Sequence, residues 1–197
     1  MRGSRGVAVA VVAGVLWSAV PAGAVTTVTA LHSYRAVYVV SDARRSTTYH
    51  FVVHSATDWE EWWSPASSPV TVVVGGTTYV RTPSRSTTVP ASAWRVGSPA
   101  RYTVSDPYPG FVSSARLITW RQDSTCSSAG LSGTTWVAQS GWTGYAPLDM
   151  AMCVSRTHDI LWWAEGFHGH PDFAAGPVGA RVFRVTQVGG VPTVAIP

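Results

Sequence analysis

Lysine and asparagine are absent from the 197-residue chain, glutamate occurs only at residues 60, 61 and 165, and leucine is scarce. Each absence excludes something. Without lysine, and with three glutamates, the chain has no stock of residues to solvate the outer faces of a coiled coil or helical bundle. Without asparagine there is no N-glycosylation acceptor. Charged residues make up 12% of the chain, against roughly 25% in an average soluble domain. Hydrophobic residues reach 46%, which excludes a disordered chain. Every basic side chain other than histidine is arginine, and only Arg44 and Arg45 are adjacent, so the clustered basic and aromatic residues of a nucleic-acid surface are missing. Two cysteines without a CxxC spacing exclude a zinc ribbon and a thioredoxin-type redox site. There is no G-x-S-x-G elbow, no Gly-Asp-Ser-Gly stretch of the trypsin kind and no phosphate-binding glycine loop.

What is present begins with an export signal. Met1 to Ala24 carries Arg2 and Arg5, then the apolar stretch Gly6 to Val20, then Pro21-Ala22-Gly23-Ala24, with small residues spaced as in an A-x-A cleavage site. A spanning helix needs about 20 apolar residues and a signal core about 7 to 15, so the shorter element fits. The expected product is one secreted, extracellular domain of residues 25–197 with no membrane attachment. Removing Arg2 and Arg5 leaves 12 arginines against 10 acids, a net charge of +2 in place of +4. In an exported chain, Cys126 and Cys153 are expected to pair.

Period-2 alternation and β-branched residues recur along the mature chain, broken by turn residues about every ten positions. Strands are expected at 35–40, 47–54, 70–74, 77–81, 101–105, 115–121, 134–139, 158–165, 180–188 and 193–196. Gly75-Gly76 between two of them permits positive φ at both positions of a two-residue hairpin turn. The pair Asp106-Pro107 and the pair Pro109-Gly110 read as a strand terminator. Ala56 to Trp63, with Trp59, Trp62 and Trp63 at i, i+3 and i+4, reads as a short helix. Pro147 to Val154 reads either as a helix or as a strand with Leu148, Met150 and Met152 on one face. The expected fold is all-β: a single-domain β-sandwich or jelly roll with one disulfide and at most one or two short helices.

Nine tryptophans in the mature chain supply the candidate binding residues. On a strand, Trp162 and Trp163 face opposite ways, so one belongs to the core and the other to the outer face. Trp62 and Trp63 of the short helix are further candidates, and Trp142, in the glycine-rich stretch 141–144, with Tyr145 directly after it, offers loop aromatics that suit recognition. The partner expected from these surfaces is an extracellular protein, with a cell-surface glycan as the variant. The free end at Val25, Val28 and Leu31 is expected to add as a strand to a partner's sheet. The rival function is a small jelly-roll glycoside hydrolase, with Glu60 or Glu61 working opposite Glu165 amid Trp-rich segments. Compact jelly-roll glycosidases are similar in Trp, Ser and Thr content, and the resemblance is one of composition. His168, His170 and Asp172, with His158, Asp159 or Glu165 as a third ligand, form the densest ligand cluster. No metal and no cofactor is expected, because Gly169 and Pro171 make that segment a loop.

Overall fold

Alternating burial is set in the first strand. In β1, Tyr34–Ser41, the side chains of Tyr34, Ala36 and Tyr38 are buried while Arg35, Val37 and Val39 between them stay half-covered. The computed structural model describes residues 27–41, 45–66, 68–83, 91–97, 106–140, 148–167 and 179–197. After β1 come β2 (Ser46–Ser55), β3 (Asp58–Trp63), β4 (Thr71–Val74), β5 (Thr77–Val80) and the two-residue β6 (Arg95–Val96). Helix α1 (Tyr108–Ala115) precedes β7 (Thr119–Ser128), β8 (Leu131–Ser140), β9 (Leu148–Ser155), β10 (Ile160–Phe167) and β11 (Gly179–Val188).

All eleven strands form one antiparallel sheet in the order β6-β5-β4-β3-β2-β1-β11-β10-β9-β8-β7. Two meanders therefore meet at β11, which pairs with β1 on one side and β10 on the other. The sheet is curled. Ser128 Oγ at the end of β7 donates to the Val185 carbonyl of β11 at 2.6 Å, although three strands separate them in the sheet order. The Cys126–Cys153 disulfide has a Cα–Cα distance of 6.0 Å. In a flat sheet those two strands, with β8 between, would lie about 9.6 Å apart. The bend that closes this gap passes over Gly133 of β8, where a Cβ would meet the Val154 carbonyl oxygen at 2.3 Å.

The concave face is filled by α1. Phe111 stacks on Trp163 at 4.3 Å and 7°, and Trp163 stacks in turn on Phe183 at 4.0 Å and 13°. Tyr34, Ala36, Tyr38, Phe51, Tyr108, Trp120 and Met152 complete the core around them. Pro107 and Pro109 sit where the first helical turn has no amide partner to lose. Asp106 Oδ1 accepts the Tyr108 amide at 3.0 Å and its Oδ2 accepts the Tyr34 hydroxyl, while Trp120 Nε1 caps the Ala115 carbonyl at 2.8 Å.

The all-β class and the single disulfide agree with the sequence reading. The layers do not: one curled sheet around a helix takes the place of two sheets packed face to face. Residues 58–63 are strand β3, because Trp59, Glu61 and Trp63 alternate onto the core side. Residues 148–155 resolve as strand, and 108–115 as helix rather than terminator. Gly75 and Gly76 do form the turn, at φ 55 and 79. The expected strand at 193–196 is irregular, although Val191 and Val194 are buried. The expected strand at 101–105 and the leader 1–24 lie outside the described residues.

Candidate functional site

Strand register sorts the candidate residues onto two faces. On the convex side, a single row of paired residues crosses five strands: Trp62 of β3, His50 of β2, Val37 of β1, Arg184 of β11 and Trp162 of β10. At about 4.8 Å per strand, the two tryptophans stand roughly 19 Å apart along the sheet. The neighbouring row is small and apolar: Val39, Val182, Ala164, Ala151 and Val137, each half-buried. The exposed Arg121 and the half-buried Thr48 continue this row at its two ends, the exposed Arg184 stands in the tryptophan row, and the half-buried Glu60 lies one row beyond that. His50 stacks on Trp62 at 5.2 Å and 12°. Partial burial holds the His50 imidazole below its ordinary range, so the ring that stacks is neutral at neutral pH.

The concave side holds Trp63, Glu61 and Glu165. Trp163 belongs to the core at 1% exposure and presents nothing to solvent, so it is removed from the candidate contacts. At the end of the face away from α1, Arg181 of β11 lies 4.0 Å from Glu165 of its paired strand. Burial raises the Glu165 carboxyl above the usual carboxylate range, and Arg181 opposes the rise. The Tyr38 hydroxyl is pushed up to about 12 by burial, against the lowering pull of Arg181 and with Glu165 and Tyr49 adding to it. Burial and the nearby Glu61 raise Tyr49 as well.

These positions do not assemble a hydrolytic pair. Glu60 projects to the convex face, opposite Glu165. Glu61 shares the concave face but is fully buried at 0% exposure, and β2, β1 and β11 lie between its strand and that of Glu165. A glycosidase needs two carboxyl groups about 5 to 9.5 Å apart, both reaching substrate.

The strand-addition expectation is corrected for the part of the segment that is described. Val28 is buried in the core at 1% exposure, and Leu31 packs against it. The Arg116 guanidinium donates to the Val28 carbonyl at 2.9 Å, and the Thr29 amide donates to His158 O at 2.9 Å. Thr29 Oγ1 donates to Asp159 at 2.8 Å, and the Leu31 amide reaches the Tyr108 hydroxyl at 3.3 Å. Apolar spacing that looked too irregular for a home strand is the spacing of a segment tied by one isolated β-bridge, Thr29 to Asp159, and by side chains. Val25, Trp142, Tyr145, His168, His170 and Asp172 lie outside the described residues. Among the described residues, no three His, Cys, Asp or Glu side chains come together as a metal site. No described helix is long and apolar enough to cross a membrane.

Sequence reasoning missed a groove beside the disulfide. It has a volume of about 540 Å³ and is lined by Thr125, Ser127, Ser132, Thr134, Ser155 and Arg156 among others. A second depression shares Ser132, Ser155 and Arg156 and extends to Thr157. Individual serines and threonines are too common in this sequence to mark a site before the bend at Gly133 gathers them.

No family model matches the chain, and no curated protein matches it. Among solved structures, the chain is similar to LprF from Mycobacterium bovis, with a TM-score of 0.47 and 11% identity over 84% of this chain and 90% of that one. It is also similar to MucB, with a TM-score of 0.42 and 16% identity over 82% of this chain. The MucA/MucB complex of Pseudomonas aeruginosa gives a TM-score of 0.40 at 16% identity. The chain spans about half the length of the MucB chains, 55% and 53% respectively. Similarity at this level assigns neither a family nor an activity.

Proposed function

We infer that the protein is an exported, non-catalytic binding module whose partner is an extracellular protein. The observation that carries this reading is the convex face, an apolar centre of valine and alanine with Trp62, Arg184 and Trp162 in the row beside it, Arg121 at its end and Glu60 beyond the tryptophan row. A dry centre, aromatic anchors and a charged rim are the anatomy of a protein interface. A glycan offers few apolar groups to such a centre.

Affinity capture from native culture supernatant, with the full chain expressed behind its own leader, tests the reading. Trp62→Ala and Trp162→Ala are each expected to weaken capture about 30-fold or more, the effect of losing an anchor worth about 2 kcal/mol. Leu117→Ala, at an exposed position just past α1, is expected to leave capture unchanged. Equal capture by both tryptophan variants and wild type overturns the proposal, as does retention on neutral polysaccharide resin in place of protein. Intact-mass measurement of the released product is expected to give a chain starting at Val25.

A further inference from the structure

We propose that the groove beside the Cys126–Cys153 disulfide is a separate binding site for an acidic saccharide, taking one or two uronic-acid units. It goes beyond the protein-binding face and does not depend on it. The groove forms where hairpin β7–β8 folds over the end of β9, and its volume of about 540 Å³ lies in the range of small-molecule sites. Hydroxyl-bearing residues predominate in its lining, with Val154 and Cys126 as the apolar part. Hydroxyls of Thr125, Ser127, Ser132 and Thr134, which the register places on one face of the hairpin, both donate and accept, and this matches the hydroxyls of a sugar ring. Among the described residues lining the groove there is no carboxylate and no aromatic ring, so recognition is polar rather than by stacking.

Arg156 supplies the charge. It lines both depressions, stands exposed in the β9–β10 turn, and forms no ion pair with a described residue. A guanidinium presents a planar fork of donors that matches a carboxylate in two parallel hydrogen bonds. Its one acidic neighbour in the turn is already engaged: Asp159 accepts from Thr157 Oγ1 at 2.6 Å and from Thr29 Oγ1 at 2.8 Å.

The site is held rigid before any ligand arrives. The disulfide clamps β7 to β9, and Gly133 lets the strands approach this closely, since a Cβ there would lie 3.2 Å from Cys153 Sγ. Ser155 Oγ accepts from the amides of Thr157 at 3.2 Å and Asp159 at 3.0 Å and lies 2.8 Å from Thr157 Oγ1, which ties the turn together. A turn fixed in this way holds the backbone that carries Arg156, so less freedom is lost when the guanidinium binds.

The test is titration of the mature, oxidised protein with digalacturonate, followed by amide and arginine NMR shifts. Saturable shifts are expected at Ser132, Ser155 and Arg156, with none at Trp62 or Trp162. Arg156→Ala is expected to weaken binding about tenfold or more, and Ser132→Ala by a smaller factor, with both variants melting like wild type. Arg156→Lys keeps the charge but loses the fork, and is expected to recover only part of the affinity. Galactose binding as tightly as digalacturonate overturns the acidic requirement. Inorganic sulfate binding as tightly shows an adventitious ion only. Undiminished binding by Arg156→Ala overturns the site itself. Failure of every arm leaves the convex-face reading untouched, because that reading is measured at Trp62 and Trp162.

Discussion

Gly133 is the residue on which the bend of the sheet depends. An added Cβ would meet the Val154 carbonyl oxygen at 2.3 Å and its carbon at 2.8 Å, both backbone atoms that cannot swing aside. Gly133→Ala is expected to cost about 1–3 kcal/mol. It is also expected to leave a measurable fraction of Cys126 and Cys153 reduced on expression, read by alkylation of the non-reduced protein. Gly130→Ala is the contrast: its φ is +75 but nothing lies within 4 Å of the new Cβ, so it strains the turn and leaves the disulfide complete. Asp106 gives a second residue-scale prediction. Burial raises its carboxyl above the usual range, with the Tyr34 hydroxyl and the Tyr108 amide pulling it back. The folded protein therefore keeps this proton to higher pH than the unfolded chain does. Between the unfolded value near 3.9 and the raised folded value, the folded state binds more protons, and stability falls as pH rises through that window. Asp106→Asn removes the titration while its amide still serves Tyr108 and Tyr34. Urea midpoints measured across that window are expected to fall less steeply in the variant.

At the scale of elements, α1 decides whether the curled sheet has a core. Phe111 is the helix residue stacked on Trp163, and truncating it removes a ring from a contiguous aromatic stack. Phe111→Ala is expected to cost about 3–5 kcal/mol, with loss of near-ultraviolet dichroism from Trp163 as the spectroscopic sign. This helix was hidden in the sequence because Pro107, Pro109 and Gly110 read as a break, whereas proline fits a first turn. Strand β3 was hidden for the opposite reason. Glu61 occupies a core-facing position, so hydropathy lost its alternation there and the tryptophans suggested a helical period instead. Where side chains obeyed the pleat, the pattern was readable: Trp163 went inside and Trp162 outside, and Gly75-Gly76 turned the hairpin. The convex row was not readable at all. It depends on the β1–β11 register, which pairs residues roughly 150 positions apart and which no local pattern encodes.

At the scale of the molecule, alternation alone could not tell one curled sheet from two packed sheets, since both bury every second residue. The difference lies in where β11 goes. It enters between β1 and β10 and makes both of their ladders. A chain that has delivered everything up to residue 178 holds two unjoined meanders, with β1 and β10 left as open edges lined by Tyr34, Tyr38 and Trp163. Such edges invite pairing with other copies. A variant ending before Gly179 is therefore expected to aggregate as a whole rather than lose one strand, which light scattering of the soluble fraction would register. The position of β11 also acts as a clock: during synthesis the sheet cannot close before residues 179–188 emerge, so the two meanders wait, unjoined, for the strand that completes both.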